Sequence, residues 1–299
     1  MVEVHKAKQY TIGGIRIKTN FLCPLFDFDL KGGSSDFQDN QQEAPEWTFN
    51  YHITNDINQF GWQHQFKGPE QFEEDLPYKW SVVLINNLDG ILVEFDNHPD
   101  FTSAINMIDT DKKEVNICLQ AKHQNKIVFD PFIHPLGILT LKVIVHHYGG
   151  FVIHASTVNY KGKGYLFSAV SGTGKSTMAK IWQEYGATII NDDRLIIRPG
   201  KSGYMAYNTP MPYYRDKNKN VKLHKAFLIK QSPRNFINKM PVLKGALGLL
   251  GNCMQFQYDK NQVQNRLDAL LDISNQCGVY ECGFKPDKEI VDLILSEIG

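Results

Sequence analysis

Paired cysteines are missing from this 299-residue chain: its five, Cys23, Cys118, Cys253, Cys277 and Cys282, are odd in number and form no CxxC pair. That argues against a disulfide framework or a zinc site and leaves reduced, mostly buried thiols as the expectation. Net charge is missing too, since 32 basic residues balance 32 acidic ones. The balance argues against a general nucleic-acid or membrane-surface binder. No stretch approaches the ~20 apolar residues of a membrane span. Residues 1–20 alternate charged and apolar side chains without a signal-type apolar run, so a cytoplasmic location is expected. Internal repeats and low-complexity tracts are also lacking. What is present is an ordinary globular composition, 42% apolar and 21% charged, enough to bury one large core or two modest ones. Charge is unevenly placed along it. Residues 27–75 hold eleven acids against Lys31 and Lys67, whereas residues 215–244 hold nine bases and the single acid Asp216. An anionic partner is therefore expected toward the C-terminal half.

Two domains are expected, a β-rich one over residues 1–132 and an α/β one over residues 133–299. In the first, residues 15–19 alternate, and Trp47, Phe49, Tyr51 and Ile53 share one face of a strand opposite Thr48, Asn50, His52 and Thr54. Apolar runs at 80–85, 91–95 and 115–119 continue the antiparallel strand pattern, and residues 32–46 read as an exposed loop. Residues 135–148 then change to helical spacing and close at Gly149-Gly150. A strand at 151–158, a turn at Lys161-Gly162-Lys163-Gly164 and a second strand at 165–168 follow.

That second strand runs into Ala169-Val170-Ser171-Gly172-Thr173-Gly174-Lys175-Ser176, which fits GxxxxGK[S/T] with Ala in the first glycine place. Met178, Ile181, Trp182 and Tyr185 follow at i, i+3, i+4 and i+7, the buried stripe of a helix starting near Ser176. Strand, glycine loop and helix in that order make a phosphate cradle. Glycines let backbone N–H groups turn inward, and the helix N-terminus adds roughly half a positive charge. Ser171, Gly172, Thr173, Gly174, Lys175, Ser176 and Thr177 are the expected nucleotide-binding residues. Lys175 is expected at the β- and γ-phosphates, and Ser176 at a Mg²⁺ ion bridging them.

A short apolar strand at 187–190 ends at Asn191-Asp192-Asp193-Arg194, placing two carboxylates at a strand's C-terminal end, where open α/β sheets put ligands. They follow Ser176 by only one βαβ unit. One carboxylate is suited to Mg²⁺ or its water, and the other to accepting the proton of an attacking hydroxyl. Spacing alone leaves the two roles open, and since successive strand residues face opposite ways, one Asp could instead pair with Arg194. His154, in Phe151-Val152-Ile153-His154-Ala155-Ser156, lies on the strand beside the one feeding the loop, within reach of the acids or the γ-phosphate.

His154-Ala155-Ser156, the loop Ser171–Ser176 and Asp192-Asp193, in that order and compactly spaced, resemble the catalytic domain of the HPr kinase/phosphorylase family and its shorter kinase-like members. The resemblance implies an α/β phosphate-loop fold similar to ATP-dependent phosphoenolpyruvate carboxykinase, here behind an N-terminal antiparallel β domain. It implies ATP with Mg²⁺ and phosphorylation of a hydroxyl, expected to be serine of a protein or peptide. Carried over residue by residue, His154 and one Asp form the acid/base couple, Lys175 and the loop bind triphosphate, and Ser176 with the other Asp, taken as Asp193, serves the metal. Asn208-Thr209-Pro210-Met211-Pro212 and residues 279–294 resemble the kinase-like members as well. The glycine-rich signature segment of true HPr kinases has no counterpart here, so the resemblance does not extend to HPr as acceptor. Neither nucleic acid nor membrane is expected as a partner, and homo-oligomerisation is left open.

Other signals are weaker. The glycines of residues 244–251 are spaced for close helix packing and not as a second nucleotide loop. His146 and His147 are adjacent and point apart on a helix. Arg215, Lys217, Lys222, Lys225 and Arg234 are candidate phosphate or acceptor contacts. A small-molecule kinase or carboxykinase-like enzyme, and a non-catalytic ATP-binding sensor, use the same loop and stand as alternatives.

Overall fold

The computed structural model describes residues 3–40, 43–68, 76–210, 219–254 and 260–299. The chain forms two compact units, one built on Met1–Ile144 and the other on Val145–Thr209 with Lys219–Gly299. The division falls inside α1 (Leu136–His147), not ahead of it at 132/133 as the change of periodicity suggested. A period change marks where a helix starts. It does not mark which core each turn of that helix joins.

In the first unit the strands are β1 (Lys6–Ile12), β2 (Ile15–Phe21), β3 (Phe26–Phe28), β4 (Trp47–Thr54), β5 (Gln63–Lys67), β6 (Tyr78–Ile85), β7 (Leu88–Phe95), β8 (Phe101–Asp109), β9 (Glu114–Ala121) and β10 (Ile127–Phe129). Eight of them form one sheet in the order β1-β2-β4-β9-β8-β7-β6-β5, and β10 pairs with β3. The sheet is mixed, which corrects the expected antiparallel domain: β4 runs parallel to both β2 and β9. Residues 22–46 supply the long return that a parallel neighbour needs, and β5 to β8 separate β4 from β9 in the chain. Trp47, Phe49 and Tyr51 are buried as expected, but Ile53 is exposed and Thr54 takes the buried place. There the Thr54 hydroxyl accepts from the Asp56 amide, starting the turn.

The segment from Gly32 is also less exposed than its composition suggests. Ser34 and Phe37 are buried, and the Ser34 amide donates to the half-buried Asp130 carboxylate at 2.8 Å. Low apolar content did not reveal that a single Phe and a carboxylate ninety-six residues away anchor it.

The second unit comprises β11 (Phe151–Tyr160), β12 (Lys163–Ser168), α2 (Lys175–Glu184), β13 (Thr188–Asn191), β14 (Arg194–Gly200), β15 (Gly203–Tyr207), β16 (Asn220–Gln231), β17 (Phe236–Lys239), α3 (Val242–Leu250), α4 (Lys260–Gln276), β18 (Val279–Phe284) and α5 (Glu289–Ile298). The turn joining β11 to β12 puts Lys161 and Gly162 at φ +51° and +81°, as a tight two-residue hairpin requires. Strand order is β12-β11-β14-β15-β16-β18-β17, β13 pairs with β11, and β12 also pairs with β16. Because β12 meets β16, the path β11, β14, β15, β16, β12 closes on itself.

Alternation along these strands divides the side chains between two cores. Tyr165, Phe167, Phe227, Ile229, Tyr280 and Cys282 pack with Met178, Ile181 and Trp182 of α2 and Ile290, Val291 and Ile294 of α5. Leu166, Ala226 and Val279 face the other way, toward Ala246 and Leu249 of α3 and Leu270 and Ile273 of α4. Each strand therefore serves both layers, the arrangement of a sheet covered on both faces. Residues 279–294, the stretch that resembles the kinase-like members, form a strand followed by a helix, β18 and α5.

The glycines of residues 244–251 lie in α3. A β-carbon on Gly245 would stand 2.7 Å from Val279 Cβ, and one on Gly248 2.2 Å from Leu228 Cδ1. They let α3 approach β16 and β18. Gly245→Val is expected to lower unfolding free energy by about 1–3 kcal/mol through overpacking, read as a shift in denaturation midpoint, while the folded fraction keeps whatever nucleotide affinity the wild type shows. Loss of nucleotide binding with unchanged stability would instead make this a nucleotide loop.

Candidate phosphate site

β12 delivers the chain into the loop at Ala169, and α2 begins at Lys175. Gly172 and Gly174 hold φ of +78° and +108°, backbone that residues with a β-carbon rarely adopt. Ala169, the departure from the usual pattern, is not among the positive-φ residues and packs in the core beside α2. A methyl group is tolerated there because that position needs neither left-handed backbone nor open space. Gly174 is the N-cap of α2 and offers no capping side chain, so the first-turn amides and the positive end of the helix dipole are not taken up by a cap. Ser171, Gly172, Ser176 and Thr177 are exposed. Thr173 Oγ1 donates to Val170 O at 2.9 Å.

Lys175 is buried, and its ammonium donates to the loop carbonyls Ala169 O at 3.0 Å and Val170 O at 3.1 Å. Burial pushes its pKa down, against an opposing pull from Asp193. A charged amine lying against two carbonyls of its own loop is placed to exchange them for anionic oxygens, which bind an ammonium more strongly.

His154 enters from β11, opposite Arg194 of β14. Its Nε2 lies 3.5 Å from Asp193 Oδ1, and Arg194 Nε lies 3.6 Å from Asp193 Oδ2. Both are ion-contact distances, longer than hydrogen bonds. Asp193 thus stands between an imidazole and a guanidinium. Burial lowers the His154 pKa, Lys175 and Arg194 lower it further, and Asp193 opposes them. The imidazole is accordingly biased to its neutral, proton-accepting form near neutral pH. Asp192 is half-buried, and among the described residues it makes no hydrogen bond or ion pair. The two acids therefore differ as the sequence left open: Asp193 joins His154 and Arg194, while Asp192 stands apart.

Ser156 is two residues from His154, on the same face of β11. Its hydroxyl donates to Lys175 O at 3.0 Å, tying the histidine strand to the first turn of α2. Asn191 is fully buried, and its Oδ1 accepts from the amides of Asp193 (2.8 Å) and Arg194 (3.1 Å). This Asx-type turn steps the chain from β13 into β14, which both run antiparallel to β11, and sets the Asp193 carboxylate. Ala155 N donates to Asp193 O at 3.1 Å, and Thr209 Oγ1 donates to Arg194 O at 2.8 Å, holding the strand end from both sides. Ser156 carries no sequence signal of its own beyond its place after His154-Ala155. Asn191 carries a local one, since Asn just ahead of two acids at a strand end is a turn signal.

The segment 252–254 joins the site without any sequence signal. His154 N donates to Asn252 O and Met254 N to Val152 O, each at 2.9 Å, so a stretch nearly a hundred residues downstream pairs along β11 beside the histidine. Arg266, buried on α4, donates to Met254 O at 3.0 Å, and Arg194 Nη1 lies 2.9 Å from Met254 Sδ. No local pattern announces such a contact. Of the basic candidates, Arg215 and Lys217 lie outside the described residues, as do Met211 and Pro212. Lys222 and Lys225 are on β16, with Lys225 over the Tyr280 ring, and Arg234 is exposed in the turn before β17.

The oxygen donors suit Mg²⁺, which keeps several waters and takes one or two carboxylates plus substrate phosphates in place of a full protein cage. The Ser176 hydroxyl and one carboxylate of the pair would supply them. Among the described residues no group of three or more His, Cys, Asp or Glu gathers in a way that could hold a metal by itself.

A family model described as "SynChlorMet cassette protein ScmC" matches residues 132–272. No curated protein matches the chain. Among solved structures it is similar to the Hpr(Ser) kinase/phosphatase from Coxiella burnetii, with 9% identity and a TM-score of 0.26, covering 48% of this chain and 90% of that one. At that score no residue role is carried across. Among the described residues no helix is long and apolar enough to cross a membrane.

The electrostatics give a signed expectation. A proton NMR titration should place His154 below its ordinary 6.5. Lys175→Ala should move it up by removing a positive neighbour, and Asp193→Asn should move it down. Since the folded value lies below the unfolded one, His154 costs the fold nothing above the unfolded value. It destabilises progressively as pH falls from 6.5 through the folded pKa. In His154→Asn that part of the acid sensitivity should be gone.

Proposed function

We propose that the second unit is an ATP-dependent phosphotransferase that moves the γ-phosphoryl group to a hydroxyl, with serine of a protein or peptide as acceptor. The observation that carries this reading is His154 Nε2 at 3.5 Å from Asp193 Oδ1, on a strand that Ser156 ties to the lysine turn of the glycine loop. A module that only binds nucleotide needs the loop and Lys175, but not a neutral imidazole and a carboxylate held together beside it.

Each group has work it is chemically suited to do. The backbone amides of residues 171–177 and the Lys175 ammonium bind phosphate oxygens and offset their charge. Asp193, steadied by Arg194, orients His154 and stabilises it when it gains a proton. The Asp193–His154 couple then accepts the proton of the attacking hydroxyl. Ser176 and a carboxylate of the pair would hold Mg²⁺, whose chemistry is to neutralise charge on the transferring group. Asp192, which has no partner among the described residues, remains available for the metal, whereas Asp193 lies against His154 and Arg194. On this reading Asp192 takes the metal role that the resemblance assigned to Asp193.

Incubation with γ-labelled ATP and lysate of the host cell should label one or a few polypeptides. Asp193→Asn and His154→Ala should cut transfer by about 10²–10⁴-fold while leaving ATP affinity within a few fold, and Lys175→Ala should abolish binding. Transfer that survives the Asp193 and His154 changes, in variants that still bind ATP, would leave a nucleotide sensor as the better description.

A further inference from the structure

A cleft of about 550 Å³ opens beside the phosphate loop, lined by Gly174, Thr177, Gln231, Ser232, Pro233, Phe284 and Pro286. It belongs wholly to the second unit, and its size falls in the range of small-molecule sites, roughly 300–1,000 Å³. Its lining includes the loop glycine that caps α2 and the exposed Thr177 one residue past Ser176. It includes none of His154, Lys175, Ser176, Asp192 or Asp193. The cleft therefore adjoins the glycine loop on a side the transfer residues do not line.

The walls are preformed. Phe284 is buried among α2 and α5 core residues, and a β-carbon on Gly174 would meet its Cζ at 3.0 Å, so the ring edge borders the loop. The two turns forming the outer wall are stitched together. Ser232 N donates to Phe284 O at 3.1 Å, Lys285 N to Asn235 Oδ1 at 2.8 Å, and Asn235 Nδ2 to Asp287 Oδ1 at 3.0 Å. Pro233 and Pro286 add rigid apolar surface. The Gln231 side chain makes no hydrogen bond among the described residues and carries both an amide donor and a carbonyl acceptor.

We infer that this cleft takes the base and sugar of the nucleoside triphosphate. The inference rests on the phosphate-loop reading above. A triphosphate lying across the loop with its γ end at His154 and Asp193 points its α end elsewhere, and Thr177 and Gly174 open that end into the cleft. A flat heteroaromatic base suits an aromatic edge, two proline faces and one free amide better than a peptide hydroxyl does, since a hydroxyl held there would be away from the couple that takes its proton.

The test compares ATP with inorganic tripolyphosphate, each with Mg²⁺, by calorimetry on the full chain. Two wall variants, Gln231→Trp and Pro286→Trp, replace exposed side chains and should melt as the wild type does. The wild type should bind ATP more tightly than tripolyphosphate, and both variants should lose about tenfold or more in ATP affinity while tripolyphosphate binding stays within twofold. Equal affinities for the two ligands in the wild type would overturn the cleft assignment and leave the phosphate loop standing. So would unchanged ATP affinity in both variants, or parallel loss of ATP and tripolyphosphate. A wild type that binds neither ligand would sink the phosphate-loop reading and this inference with it.

Discussion

Backbone pairing along β11 is the constraint on which the rest of the second unit depends. On one side Ala155 to Tyr160 pair with β12, the strand that feeds the glycine loop. On the other, Phe151 to His154 pair with β14 and Thr157 to Asn159 with β13, so the residues flanking Asp192 and Asp193 are bound to the same strand. A strand so paired has almost no freedom to slide, because a one-residue slip would exchange every inward and outward side chain. His154 and Ser156 would then point into the core that Ala155 now occupies.

Electrostatics build on that frame. Lys175 and His154 are both disfavoured in their charged forms by burial, and Asp193 is the acid whose charge opposes both shifts. One carboxylate thus restrains two pKa values and pairs with a third group, Arg194. Shifts of this kind, from burial together with a named charge partner, are found clustered at sites where protons are moved. The glycine loop has its own economy: only Gly172 and Gly174 take left-handed backbone within it, which is why alanine at position 169 leaves its shape intact.

Much of this was legible in the chain itself. The strand, loop and helix around Lys175 follow from apolar alternation, two glycines and a 3.6-residue stripe, all local signals that neighbouring residues decide together. The hairpin that brings His154 beside the loop follows from a Lys-Gly turn. What is not legible lies where distant segments compete: the parallel placement of β4, the anchoring of Ser34 on Asp130 with Phe37 buried, and a unit boundary inside α1.

What the sequence by itself determined is the set of groups available: a glycine loop with its lysine, two acids and a histidine, because these depend on residue type and short spacing. Only the tertiary structure decided which acid meets the histidine, since Asp192 and Asp193 are equivalent in sequence until the Asn191 turn aims one of them. It also decided that Asn252 to Met254 line β11 and that Phe284 borders Gly174. Those contacts join residues roughly a hundred positions apart, and they arise from the packing of two cores on one sheet, which no local pattern encodes.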